Sequence, residues 1–167
     1  MKKNEAKLTA EMARRLFIYD AEIGHLRWAI TPNSSFPAGS VAGNVNRGYR
    51  RIKYLGDTFQ EHRLVWLIHK GEWPKNQLDH IDRCRDNNRI TNLREADKYQ
   101  QGGNRKLNVS NTSGFRGVVW HKRDKKWQVS IRVKGKRVHI GLFDSKEDAA
   151  SAYNAAAVIV FGEFYIP

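Results

Sequence analysis

The spacing of apolar positions changes along the chain, and each change marks an element. Leu8, Met12 and Leu16 recur every four residues, with Phe17 beside Leu16 and a hydroxyl cap available at Thr9. That pattern predicts a short amphipathic helix. Strand-like pieces follow at residues 25–30 and 49–54, separated by the turn-rich segments TPNSSFPAGS and GNVNRG. EHRLVWLIHKGEW returns to helical spacing, with Leu64, Val65, Ile68 and Trp66 inward and Gly71 and Pro74 ending the helix. Two short strands, QLDH and TNLREA, then enclose an irregular basic loop, and a helix is expected from about Asp97.

Residues 102–112, GGNRKLNVSNT, are rich in Gly, Asn and Ser and read as a linker. Beyond them the period becomes two. In WQVSIRV, Trp127, Val129, Ile131 and Val133 alternate with Gln128, Ser130 and Arg132, and RVHIGLF repeats the pattern. The turns HKRDKK and VKGKR divide this region into three antiparallel strands. SKEDAASAYNAAAVIVFG is a helix capped by Ser145, with Asp148 at the capping-box position and an Ala run suited to close packing on a sheet.

Charge narrows the choice of partner. The chain has 167 residues and carries 30 Lys and Arg against 17 Asp and Glu, a net +13. That imbalance favours a polyanionic partner, either nucleic acid or an anionic membrane surface. The longest apolar run, near residues 155–161, is far too short to span a bilayer, and the opening MKKNEAKLTAEMARR lacks the apolar core of an export signal. The single cysteine, Cys84, excludes an intrachain disulfide framework and a Cys-rich zinc finger, and reads as a bystander loop thiol.

Nine of the basic residues fall between Arg116 and Arg137, against the single acid Asp124. If one sheet face packs on the helix, the other presents Arg132, Arg137, Arg116 and His139. Arg on such a face suits guanine edges, and Lys suits phosphates. The segments FRGV, WQVSIR, RVHIGLFD and EDAASAYNAAA resemble the plant APETALA-two/ethylene-response-factor type of DNA-binding domain over the last third of the chain. The resemblance implies a three-stranded sheet that reads double-stranded DNA with a helix behind it. It puts Arg116, Arg132 and Arg137 at contacting positions, with Lys122, Arg123, Lys126, Lys134 and His139 as further DNA-binding candidates. Val119, Ser130 and His139 replace residues common in the plant proteins, so the target sequence is not carried over.

The adjacent Asp79 and His80 raise the question of chemistry. Phosphodiester hydrolysis needs an activated water, charge neutralisation and help for the leaving oxygen. A neutral imidazole serves as base near neutral pH, and a neighbouring carboxylate holds a hard cation. At the end of a strand the two side chains point to opposite faces, and a second metal oxygen must come from another element. DHID, a basic loop, NRIxNLR and a following helix resemble the HNH nucleases with a ββα-metal fold, in their phage and intron-homing branch. The upstream HRLVWLIHKGEWP and YDAEIGHLRW are similar to that branch as well.

This second resemblance implies Asp79 as metal ligand, His80 as general base, Asn92 as the catalytic-motif Asn that braces the loop and orients the His, and Asn88 as a loop-structuring residue. The third motif residue, usually Asn or His on the helix, falls on Gln101. Its amide oxygen sits on an arm one methylene longer, and Gly102 and Gly103 each weaken a helix by about 1 kcal/mol. Ligation by Gln101 and loss of the metal site therefore both remain open. Arg83, Arg85, Arg89 and Arg105, together with Lys53, Arg63 and Arg94, are expected along a bound backbone. His62 and His69 read as packing or capping residues, and Asp82 as a loop carboxylate.

The expected fold is α+β: a small ββα-metal nuclease module followed by a three-stranded antiparallel sheet packed on one helix. Residues 1–60 support the nuclease, 61–104 form its core, 105–112 link, and 113–167 bind DNA. The expected activity is Mg²⁺-dependent (or Mn²⁺-dependent) hydrolysis of DNA phosphodiester bonds, with one divalent ion per site and site choice aided by the C-terminal domain. A catalytically impaired DNA-binding regulator is the alternative. RNA recognition by the sheet is the weaker third reading, since the alternation puts Trp127 on the apolar side. Expected partners exclude membranes and small-molecule substrates, a monomer is expected, and the resemblance implies a phage-encoded protein in the cytoplasm of a bacterial host.

Overall fold

Thr9 starts the first helix by accepting a hydrogen bond from the backbone N–H of Met12 (3.2 Å), in a computed structural model that describes residues 5–167. The first four residues of the basic opening lie outside the described residues. Helix α1, Ala10–Leu16, is shorter than its apolar spacing suggests, because Phe17 already begins a strand. Ala13 and Leu16 are buried, whereas Met12 is 43% exposed and does not face the core.

The chain divides into two compact units, one ending at Ala96 and the other spanning Asp97–Pro167. In the first unit, β1 (Phe17–Asp20) pairs antiparallel with β2 (His25–Trp28). Next, β3 (Asn44–Asn46), β4 (Tyr49–Tyr54) and β5 (Asp57–Gln60) form a meander. Helix α2, Glu61–Lys70, follows β5 directly and ends at Gly71, whose φ of 80° supplies the left-handed turn that stops it. Leu64, Val65 and Leu67 are buried against Leu26, Trp28, Ile52 and Phe59. Each such aliphatic side chain contributes about 1.5–3 kcal/mol by leaving water.

Arg63, expected from the sequence to lie along a bound backbone, is instead buried on α2. Its guanidinium donates to both carboxylate oxygens of Glu5 (2.6 and 3.0 Å) and to the carbonyls of Pro74 and Asn76 (3.2 Å each). A buried cation needs such a counter-charge and acceptors, so Arg63 ties the start of the chain to the approach into the next hairpin. That hairpin pairs β6 (Gln77–His80) with β7 (Leu93–Ala96), opposing Asp79 to Arg94 and His80 to Leu93.

In the second unit the expected helix near Asp97 is a single 3₁₀ turn, Gln100–Gly102. Asp97 accepts from the N–H groups of Tyr99 and Gln100, and the Gln100 side chain returns to the Asp97 N–H, which closes a compact turn. Gly103 follows where a Cβ would stand 2.7 Å from the Phe164 carbonyl oxygen and 2.8 Å from the Phe161 Cβ. Two glycines and this close approach do not favour an extended helix.

Strands β8 (Val118–His121), β9 (Lys126–Val133) and β10 (Lys136–Phe143) form an antiparallel sheet with β9 central. The loop at residues 134–135 follows the expected VKGKR turn, with both residues at positive φ. Helix α3, Lys146–Phe161, starts at Ser145, whose hydroxyl accepts from the Asp148 N–H (3.0 Å). Its Ala149, Tyr153 and Ala157 pack on Val118, Val129 and Ile131. Gly117, at φ 69°, lets the chain pass the Tyr153 ring, where a Cβ would collide. The fold is α+β, with the expected three-stranded sheet on one helix.

Candidate active site

Strand alternation turns the adjacent Asp79 and His80 to opposite faces of β6. On one face, the hairpin register sets Arg94 against Asp79, and its Nε and one terminal nitrogen donate to Oδ2 (3.1 and 3.0 Å). Both side chains are largely shielded from solvent. Arg94 therefore serves as the counter-charge of Asp79. The hard carboxylate oxygens of Asp79 fit a Mg²⁺ or Mn²⁺ ion.

On the other face His80 is buried, with its Nε2 3.0 Å from Asn88 Oδ1. The Tyr49 and His62 rings pack around it at centroid distances of 6.0 and 5.1 Å, the latter edge-on. His62 thus takes the packing position read from the sequence.

Asn92 closes the loop between the strands. Its Oδ1 accepts from the Asp82 N–H (3.0 Å), and its Nδ2 donates to Asp82 Oδ1 (2.9 Å) and to the Asn87 carbonyl (2.8 Å). Its own carbonyl accepts from the Ile81 N–H (2.9 Å). Burial pushes the Asp82 carboxyl up, but hydrogen bonds from the Asn87 side chain, the Cys84 N–H and Asn92 outweigh it and hold it below the usual value. Asn92 thus braces residues 81–87, and the amide that meets His80 is that of Asn88.

Nothing in the local sequence points to what stands behind Asn88. Glu61, fully buried at the start of α2, accepts at Oε2 from Asn88 Nδ2 (2.5 Å) and at Oε1 from the Leu26 N–H (2.7 Å), and lies 2.9 Å from His25 Nδ1. Burial raises the Glu61 carboxyl, against the pull of the Leu26 N–H, His25 and Asn88. His25, Glu61 and Asp86 bring potential ligand atoms within 4.8 Å of one another. Arg50 Nε stands 3.6 Å from Glu61 Oε2 and 3.4 Å from Asp86 Oδ1, so a fixed positive charge already serves both carboxylates. These residues come from β2, β4, α2 and the loop, at positions 25, 50, 61 and 86, and no local periodicity connects them. The one local cue is a Glu in a first helical turn, which reads equally as a response to the helix dipole.

Gln101 is half-buried in the 3₁₀ turn of the second unit. Among the basic candidates of the nuclease loop, Arg83 adopts φ 62° and Arg85 lies over the Tyr49 ring (4.9 Å). Arg89 donates to Asn87 Oδ1 (3.2 Å) and to the Glu22 carbonyl. Arg116 is turned inward: it donates to the carbonyls of Gly103 (2.8 Å), Arg105 (3.0 Å) and Ile166 and stacks over Tyr165.

Arg132 and Arg137 are exposed and directly paired across β9 and β10, with His139 opposite Ser130. A groove of about 700 Å³ on this unit is lined by Lys98, Arg105, Lys106, Arg116, Arg132 and Arg137. Lys122 and Arg123 occupy the β8–β9 turn, where Arg123 meets Asp124 (3.0 Å). Lys126 pairs with Asp144 (3.1 Å), and Lys134 is exposed at the β9–β10 turn.

Known proteins of two kinds match the chain. The family model for HNH endonuclease matches residues 60–102. Protein 3.8 of Escherichia phage T7 is 34% identical over 95 residues, 56% of this chain and 78% of its own length. An uncharacterised HNH endonuclease of Acanthamoeba polyphaga mimivirus is 34% identical over 118 residues, 70% of this chain and 60% of its own. Similarity to AP2-like ethylene-responsive transcription factor TOE2 of Arabidopsis thaliana reaches 43% over 49 residues, which is 29% of this chain and 10% of the plant protein. No solved structure matches. No helix among the described residues is long and apolar enough to cross a membrane.

Proposed function

This chain belongs to the HNH endonuclease family, hydrolases of DNA phosphodiester bonds, and from that premise we propose a divalent-metal-dependent DNA endonuclease of the phage or homing type. The observation that carries the reading is the buried His80, held at Nε2 by Asn88 in a loop that Asn92 braces. His80 takes the proton of the attacking water, a role worth about 10²- to 10⁴-fold. Asp79 and Gln101 are the residues that would hold one Mg²⁺ or Mn²⁺, and Asp79, now paired with Arg94, would supply a carboxylate oxygen. The ion, when bound, neutralises the scissile phosphate and the leaving 3′ oxygen. Asn92 keeps the loop in one conformation, so that His80 does not have to be ordered during the reaction.

Arg132, Arg137, Lys134 and His139 on the C-terminal sheet position the enzyme on double-stranded DNA, with Lys122, Arg123 and Lys126 at its turns and pairs. Arg105 in the groove and Arg83, Arg85 and Arg89 in the nuclease loop add phosphate contacts. The protein acts as a monomer in the cytoplasm of a bacterial host. The deciding experiment incubates phage DNA with the protein and Mg²⁺. Wild type cuts, His80→Ala does not, and equal cutting by His80→Ala removes the role given to that residue.

One observation favours a second reading, an impaired nuclease that binds DNA without cutting. Gln101 lies in a 3₁₀ turn beside two glycines, where the family has Asn or His on a helix. Under this reading wild type binds DNA, fails to cut with any divalent metal, and gains cleavage on Gln101→Asn. Cutting by wild type with Mg²⁺ ends it.

A further inference from the structure

A row of hydrogen bonds runs from the backbone of β2 to the ring of His80. The Leu26 N–H donates to Glu61 Oε1 (2.7 Å), Glu61 Oε2 faces Asn88 Nδ2 (2.5 Å), and Asn88 Oδ1 faces His80 Nε2 (3.0 Å). All three side chains are buried, Glu61 and Asn88 completely. A carboxylate only accepts hydrogen bonds, whereas an amide presents a donor at one end and an acceptor at the other. An ionised Glu61 therefore fixes which way Asn88 points. With NH₂ toward Glu61, the Asn88 oxygen faces His80.

We propose that Glu61 is a positioning residue for the general base: through Asn88 it sets His80 as the Nε2–H tautomer and leaves the ring's lone pair on Nδ1. In a neutral imidazole one nitrogen donates and the other accepts, and an acceptor oxygen at Nε2 decides between them. Burial opposes the carboxylate form on which the orientation depends, and the Leu26 N–H at 2.7 Å, His25 at 2.9 Å and Arg50 at 3.6 Å act in its favour. The inference rests on the assignment of His80 as base.

Glu61→Gln tests it with little change of shape. The Leu26 N–H holds the new side-chain oxygen at the Oε1 position, so the introduced NH₂ group meets the Asn88 NH₂. Relief of that clash turns Asn88 over, presents its NH₂ to His80, and selects the Nδ1–H ring. The expected results are an inverted ¹⁵N tautomer signature for His80 and cleavage reduced about a hundredfold. The double variant Glu61→Gln with Asn88→Asp moves the carboxylate one step along the row at unchanged net charge. The introduced amide then donates to the introduced carboxylate, which accepts from Nε2. This variant regains the Nε2–H signature and recovers about tenfold or more of the lost rate.

An Nδ1–H ring in the wild type overturns the proposal, as does a Glu61→Gln protein with the wild-type tautomer and rate. The wild-type spectrum and the charge-conserving swap decide the matter if the single variant does not fold. Undiminished cutting by His80→Ala is a separate failure. It removes the base assigned above and the catalytic half of this proposal, while the tautomer result stands.

Discussion

The loop between β6 and β7 and the sheet of β8, β9 and β10 are both rich in polar and charged side chains, yet they use them in opposite ways. At the loop, Asn88 is buried between His80 of β6 and Glu61 of α2 and bonded to both, and the buried Asn92 is bonded to Asp82 and Asn87. On the sheet, Arg132, Arg137, Lys134 and His139 stand exposed, with neighbours of like charge. Like charges side by side repel, and on the sheet burial does not offset that repulsion. A polyanion relieves it, and the release of its counterions adds to affinity. The loop spends its polar groups on fixing a geometry in advance, as a reacting centre requires. The sheet keeps its charges available for a partner.

The largest effect should separate the two regions outright. His80→Ala is expected to lower cleavage by about 10²- to 10⁴-fold while leaving DNA affinity unchanged, measured by gel cleavage and by anisotropy on the same DNA. A matching fall in affinity would mean that the loop also binds. The reciprocal change, Arg132→Ala with Arg137→Ala, should weaken binding about tenfold or more and reduce the salt slope by about two. Cleavage at saturating DNA should persist.

Asn92→Ala probes the geometry without touching the ring. It strips partners from Asp82 and from the Asn87 carbonyl, and should lower unfolding free energy by about 1–3 kcal/mol in denaturant titrations. A neutral result would deny the loop its rigidity.

The smallest effect is electrostatic. The Asp82 carboxyl is depressed in the folded state, so its contribution to stability is present above the unfolded value of 3.8 and is lost as pH falls through the lower folded value. Asp82→Asn should flatten the acid limb of a stability–pH curve in that window, and should lower stability near neutrality, where the ionised carboxylate makes its contribution.

How much of the molecule is legible in the sequence follows how far each contact reaches along the chain. The alternation around Val129 and Ile131 and the Ser145 cap are local patterns, and the structure has both. β4 spans Tyr49–Tyr54 as its spacing predicts. Asp79 and His80 lie on a strand, and Asn92 closes the loop beside them, because the hairpin is itself local. Glu61 is invisible to such patterns because its partners Leu26 and Asn88 lie 35 and 27 residues away. Arg63 departs from its expected place for the same reason, since Glu5 is 58 positions distant. The helix expected after Asp97 fails on packing: Phe161 and Phe164 approach where Gly103 passes, and no window around Gly103 contains them.

That packing also bears on how such a protein can be taken apart and recombined. The family match runs to residue 102, but the structural division falls after Ala96. A break in the Asn-rich stretch beyond Gly103 would leave the glycine pair behind and remove the two phenylalanines that cover it. A break at Ala96 keeps the packing whole and sends Gln101 away with the sheet. The position on which the proposed metal site turns is therefore inherited with the half that carries the exposed arginines, so exchanging that half would change the chemistry along with the address.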